Sequence, residues 1–384
     1  MADTSLIIQG TCAPGFDHLW EVFGANFAAS CPEGDPDLGA CVSLTLEGET
    51  VVDLWGGFRD AAATQPWTRD TIVCVFSISK AIAAVCMHVM RDRGLLDIDA
   101  PVAEFWPEFA QSGKAGITTR MVLSHTAGLL RANVPEGSLW QPGVLLSAIE
   151  AMRPEWEPGE AAGYHSFTQG PILQEIARRV TSRSLGQFLR DELARPLDAA
   201  IASGLTADEV ARCAEIIPNE RNGTIAPFRH DPSSAVYRDW AALPRDETFN
   251  SSNWRKTEFF SLAGHGNACG IARLLAPLAT GGVSAGRRVL VPKAVASAIA
   301  EHWSGYDRFA EAPARYAAGF QMSDATYPFS GSHDCIGFHG IGGSIGFADP
   351  SRRMSFAYCG NRLISGSAGA NPKSRRLIAG CFRT

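Results

Sequence analysis

Between residues 77 and 93, apolar Ile78, Ala81, Ile82, Val85, Met87, Val89 and Met90 recur at helical spacing, and Gly94 stands where such a helix would stop. The pattern predicts a long, largely buried helix. Upstream, Cys41-Val42-Ser43-Leu44-Thr45-Leu46 and Val51-Val52-Asp53-Leu54-Trp55 flank Glu47-Gly48-Glu49, which reads as two strands around a glycine turn. Further on, Ile172, Leu173, Ile176 and Val180 mark a second helix, and Ser184 followed by Gln187 has the capping-box spacing that opens another, through Leu193. Residues from about 100 to 215 therefore read as mostly helical. One more helix is predicted near 271–278, and strands at 316–322, 342–347 and 354–358.

From about 219 to 262 the chain is rich in Asn, Pro, Arg and Asp with weak periodicity, the pattern of a long loop on the substrate side of an enzyme. Strands towards both ends with helices between them predict an α+β fold: an antiparallel sheet formed from both ends of the chain, flanked by helices, with a mostly helical insertion. The expected division is a sheet domain of residues 1–98 and 263–384 and a helical domain of residues 99–262.

Composition narrows the function. The 384 residues are 46% hydrophobic and 19% charged, a globular balance that excludes disorder as the main state. Lys plus Arg number 34 against 40 acids, a net charge of -6, with no basic run to follow a phosphate backbone, so nucleic acid is not an expected partner. The first residues carry an acid and no Lys or Arg ahead of a long apolar core, the wrong order for a secretory leader, and no apolar run reaches the ~18 residues of a membrane span. The ten cysteines lack any C-x-x-C pair, as expected of free thiols in a reducing compartment. A cytoplasmic enzyme with neither a disulfide framework nor a structural zinc site is the expectation.

Three places carry candidate chemistry. Ser77-Ile78-Ser79-Lys80 is an S-x-x-K at the opening of the long helix, where spacing of three puts amine and hydroxyl on one face, and free backbone N–H groups favour developing negative charge. Alone, the motif is weak, and a capping Ser followed by a surface Lys is the plain alternative. Gly163-Tyr164-His165-Ser166 follows the turn-forming Pro158-Gly159; its Tyr supplies a proton-accepting oxygen only if the helical region folds back over the hairpin. Phe338-His339-Gly340-Ile341-Gly342-Gly343-Ser344-Ile345-Gly346-Phe347-Ala348-Asp349-Pro350 is a glycine-dense turn running into a strand, suited to close approach of backbone to a ligand.

In this order the three motifs resemble the serine β-lactamase and penicillin-binding-protein superfamily, in particular its class C-like esterase branch, the family VIII carboxylesterases. The similarity also includes Leu123-Ser124-His125-Thr126-Ala127-Gly128-Leu129 and Gly264-His265-Gly266-Asn267, and runs from about residue 39 to 359. The resemblance implies that Ser77 attacks a carbonyl, that Lys80 and Tyr164 share its proton, and that backbone N–H groups of Ser77 and Ile341 hold the oxyanion. Phe338, His339, Gly340, His165 and Ser166 fall at substrate-binding positions, and no metal or organic cofactor is implied.

Where the family places K-T-G, this chain has Phe338-His339-Gly340, so the cation that meets a substrate carboxylate is missing. That departure points to small or medium neutral esters. Amidase, D-aminopeptidase, transacylase and weak β-lactamase activity stay open on the same scaffold, with a catalytically silent sensor as the distant alternative. His339, or Arg315, Arg352 or Arg362, remains a candidate replacement cation. Gly342-Gly343-Ser344-Ile345-Gly346 also matches the G-x-S-x-G nucleophile elbow, but that fold needs a His after the Ser, and the last His is His339.

Overall fold

A computed structural model of the chain describes residues 8–31, 36–218, 235–325, 328–364 and 371–382. Its main sheet is antiparallel, with strands in the spatial order Ile8–Cys12, Glu49–Gly57, Gly39–Leu46, Met354–Gly360, Ile345–Asp349, Ile336–His339, Phe320–Met322, Ala312–Ala317 and Glu301–Asp307. The two ends of the chain meet where Gly39–Leu46 pairs with Met354–Gly360. The first hairpin turns through Glu47 (φ 52) and Gly48 (φ 86), the doubly left-handed turn whose twist matches its strands. The stretch 316–322, predicted as one strand, is a tight hairpin in which Ala317 pairs with Phe320. Gly319 (φ 99) makes that turn against the long helix, where a Cβ would sit 2.3 Å from the Ala84 methyl. Apolar residues on both sides of the turn hide it from periodicity.

The sheet is covered on both faces, and period-two alternation sends neighbouring side chains to opposite cores. Phe338, Ala348 and Ala357 face a core shared with helices Ile78–Asp92 and Ala268–Ala279. Ile345, Phe347, Phe356 and Tyr358 face a second core with helices His18–Gly24 and Pro372–Gly380. The helix Ile78–Asp92 is buried from Ile78 through Met90 and ends where the spacing predicts. Gly94 (φ 69) returns its N–H to the Arg91 carbonyl at 3.0 Å, and Leu95 returns its own to Met90 at 2.9 Å.

The intervening segment carries helices Gln169–Thr181 and Leu185–Leu189, the latter opened by the Ser184 hydroxyl accepting the Gln187 N–H at 3.1 Å and continuing into a wider turn at Arg190–Ala194. Of the stretch expected to be irregular, 219–234 lies outside the described residues, and the remainder contains the short helices Ala235–Ala241 and Ser252–Lys256. Helices of 7 and 5 residues are too short to register as periodicity. Trp240, Phe249 and Trp254 pack edge to face there, with ring centroids 6.2 and 5.0 Å apart. The ten cysteines are free, and among the described residues no helix is long and apolar enough to cross a membrane.

Candidate active site

A small sheet of strands Val73–Phe76, Gly264–Gly266 and Ile201–Ser203 delivers Ser77 to the start of the long helix. The chain turns sharply at Phe76, whose φ of 48 is uncommon for a bulky residue. Ser79 pins that turn: its hydroxyl donates to the Phe76 carbonyl and accepts the Gly264 N–H at 2.8 Å. A Cβ at Gly264 would lie 2.5 Å from the Ser79 Oγ, so the glycine of Gly264-His265-Gly266 is what lets the neighbouring strand approach. Ser77 itself sits at the helix cap, buried except for a narrow opening.

Lys80, one turn on, is wholly enclosed. Its Nζ donates to the Ser261 carbonyl at 2.7 Å and the Ser166 carbonyl at 3.0 Å, and lies 4.7 Å from the centre of the Tyr164 ring. Burial pushes the amine well below its ordinary 10.5, with the charge of Asp239 acting weakly in the other direction. A neutral amine satisfies both carbonyls with its N–H bonds and still keeps a lone pair. Ser261 is held in place because its hydroxyl donates to the Phe167 carbonyl at 2.7 Å and accepts the Gly170 N–H at 2.9 Å. The spacing of the motifs gave no cue to Ser261, which contributes only its backbone.

Tyr164 is packed between three rings, His125 at 4.9 Å, Phe309 at 5.9 Å and Phe338 at 6.3 Å. The segment carrying Tyr164 reaches the Lys80 amine on helix Ile78–Asp92. Behind it, His125 and His165 form a buried pair whose protons are fixed by their partners. Leu129 donates its N–H to His165 Nε2 at 3.0 Å, so His165 carries its proton on Nδ1 and donates it to His125 Nδ1 at 3.1 Å. His125 Nδ1 also accepts the His165 backbone N–H at 3.0 Å, which leaves the His125 proton on Nε2. Burial holds both imidazoles neutral, pushing His165 down to about 3. His165, expected at a substrate-binding position, is therefore turned inward and used in holding the loop. Ser166 reaches the site through its carbonyl, as the acceptor for Lys80.

The glycine-dense turn closes the other side. Gly340 passes so near the strand leading to Ser77 that a Cβ there would lie 2.5 Å from the Val75 carbonyl oxygen. Its N–H bonds the Ser344 carbonyl at 2.7 Å, and Asn371 Nδ2 holds the Gly343 carbonyl at 2.8 Å. Ile341 follows Gly340 and packs against the larger core, while Ser344 is buried at the start of its strand. Phe338 is wholly buried against His125 and Tyr164, on the Lys80 side of the sheet. His339 is not beside it: alternation turns it to the opposite face, where it stacks on Phe329 at 4.6 Å, and burial pushes it down to about 3. It supplies no cation to the cleft. Arg315 and Arg352 are likewise engaged elsewhere, with Glu301 at 2.6 Å and Asp349 at 2.9 Å. Among the described residues no group of three or more His, Cys, Asp or Glu side chains is placed to hold a metal ion.

The esterase/beta-lactamase LipL of Mycobacterium tuberculosis is 32% identical over 379 residues, covering 94% of this chain and 85% of LipL. A solved family VIII carboxylesterase is 35% identical, superposes with a TM-score of 0.83 and covers 98% of this chain and 99% of its own. A penicillin-binding-protein homologue from Caulobacter crescentus shares 35% identity and a TM-score of 0.84 over the same fractions. The Beta-lactamase family pattern matches residues 32–380, and the chain belongs to that family.

Proposed function

We propose that the protein is a serine hydrolase that works through an acyl-enzyme, with small or medium carboxylic esters as its substrates. The observation that carries the reading is Lys80: an amine one helical turn from Ser77, fully buried, bonded among the described residues to two carbonyls and set over the Tyr164 ring. An amine in that state accepts a proton at neutral pH, where an exposed lysine donates one. Ser77 Oγ forms the bond to the ester carbonyl carbon as its proton passes to the Lys80–Tyr164 unit. The carbonyl oxygen becomes an oxyanion held by the N–H groups of Ser77 and Ile341, and the returning proton leaves with the alkoxide. Water then repeats the sequence on the acyl-enzyme and releases the acid. The names borne by LipL and by the family VIII carboxylesterase point to the same substrate class.

Phe338 shapes the preference. An apolar ring at that position leaves no partner for a carboxylate beside the reacting carbonyl, as a β-lactam carries, and costs an ester nothing. The test is a serine-reactive fluorophosphonate followed by peptide mass spectrometry. The adduct is expected on Ser77, to vanish in Ser77→Ala, and to persist at Ser77 in Ser344→Ala. An adduct on Ser344 would refute the assignment.

A further inference from the structure

Beside Tyr164 lies an arrangement of two arginines and two aromatic rings. Asp307, fully buried, accepts the N–H groups of Phe309 at 2.8 Å and Ala310 at 2.7 Å on one oxygen and the Tyr316 hydroxyl at 2.8 Å on the other. Arg308 gives its backbone N–H to the Ala162 carbonyl at 3.0 Å, so the loop is fixed against the segment that leads into Tyr164. The Phe309 ring lies 5.9 Å from Tyr164, and the Arg131 guanidinium lies 5.4 Å from the Phe309 ring. The Arg308 guanidinium lies 5.1 Å from the Trp156 ring, which is anchored by its Nε1 to the Thr126 carbonyl at 3.2 Å. Glu155, next to Trp156, faces Arg131 at 3.7 Å and closes the circle.

The charges in that circle do not balance. Arg131 meets a carboxylate only at the half-exposed Glu155, among the described residues, and at a distance longer than a well-formed hydrogen bond; its Nε is buried with no partner among the same residues. Among the described residues Arg308 has no carboxylate within the 4.0 Å of an ion pair. Among the described residues Asp239 is also near Arg131, and burial pushes its carboxyl up to about 7, so it offsets the cation only in part. A guanidinium set over a ring can still offer a pair of N–H groups to a carboxylate.

We propose that Arg131 and Arg308 form a subsite for a carboxylate at the far end of the substrate's acyl chain, so that half-esters of dicarboxylic acids are preferred substrates. The inference rests on the serine-ester reading above. It is compatible with Phe338: the charge is excluded beside the reacting carbonyl and met at the rim.

The test compares the mono-p-nitrophenyl ester of adipic acid with p-nitrophenyl hexanoate, which share leaving group and chain length. Shorter diacids are avoided because their free carboxylate closes onto the ester. In low salt, wild-type kcat/KM is expected to favour the adipate ester by about tenfold or more, and the ratio to fall as salt is added. Arg131→Gln and Arg308→Gln should each lower the ratio by about fivefold or more, mainly through KM. Arg308 is exposed, so its replacement does not threaten the fold. A wild-type ratio of one or less, or a ratio unmoved by both substitutions, would overturn the subsite. A second arm needs no turnover: adipate monomethyl ester should slow fluorophosphonate labelling of Ser77 more than methyl hexanoate does. Equal protection counts against the subsite, whereas failure to label Ser77 counts against the serine reading itself.

Discussion

Replacing Lys80 by Met separates what the amine does for the reaction from what it does for the fold. Burial lowers the Lys80 amine well below the 10.5 of a free lysine, so holding it neutral is a cost to the folded state at neutral pH. Met fills nearly the same volume without that cost. Against it stand the Ser166 and Ser261 carbonyls, which would lose their donor. Each buried acceptor left bare costs about 1–3 kcal/mol. The two effects are opposite in sign. Lys80→Met is therefore expected to lose little stability at pH 7, or to gain some, while turnover of p-nitrophenyl butyrate falls by several orders of magnitude.

The pH dependence makes the reasoning refutable. Burial lowers the folded-state pKa of Lys80, so the unfolded chain binds one more proton throughout the window between that lowered value and 10.5. Wild-type stability must then rise with pH across this window, by up to about 1.4 kcal/mol for each pH step of one from this residue. The Met variant lacks that contribution, and groups common to both proteins cancel in the comparison. Urea unfolding of the two proteins from neutral to mildly alkaline pH should show the wild type gaining on the variant as pH rises. A difference that stays flat would mean that Lys80 is charged in the folded protein and is no base.

Other consequences are open to direct measurement. Lys80→Ala combined with Tyr164→Phe should cost kcat/KM little more than the worse single change, because residues that act as one proton-handling unit are strongly non-additive; multiplied losses would separate their roles. Phe338→Lys places an ammonium among His125, Tyr164 and the core, so it should lower the melting temperature and all activity rather than convert the enzyme to a β-lactamase; a stable variant that hydrolyses a chromogenic cephalosporin would show that the position opens to the cleft. His165→Leu leaves the Leu129 N–H without its acceptor and His125 without one donor, which should destabilise the protein by about 1–3 kcal/mol per orphaned group in thermal unfolding; an unaffected stability would mean the imidazole pair is not formed.

Much of the fold was legible because its strongest signals are local. The helix after Ser77 has fifteen residues, ten of them apolar, and its glycine stop acts through its own carbonyls. The first hairpin needs only two left-handed residues between two apolar runs. The signals failed where structure is set by contact across the chain. Ala317 to Phe320 is a turn because Gly319 must clear Ala84, a constraint invisible along the sequence. Glu301–Asp307 is a strand because Ala312–Ala317 pairs with it, although most of its own residues face water and show no apolar alternation.

The site divides the same way. Ser77 and Lys80 lie one turn apart because the motif records residue types at a spacing that the helix turns into proximity, while Tyr164 meets Lys80 across the chain. A motif does not record which way a neighbouring side chain points. Phe338 and His339 differ by one position, and the pleat sends one towards Tyr164 and the other towards Phe329 on the far face. A cation at 339 is therefore unable to stand in for one at 338, whatever its chemistry. Nor does a slot filled by a fully buried aromatic become cationic by a single substitution, because its walls were packed for a ring. The subsite proposed above would draw its charge from other elements: Arg131 from the segment after Thr126, set over Phe309, and Arg308 from the loop after Glu301–Asp307, set over Trp156. Those residues are far apart along the chain and carry no shared pattern, which is why a linear reading looked for the missing cation at His339, Arg315, Arg352 and Arg362; of these, Arg315 and Arg352 are engaged with Glu301 and Asp349.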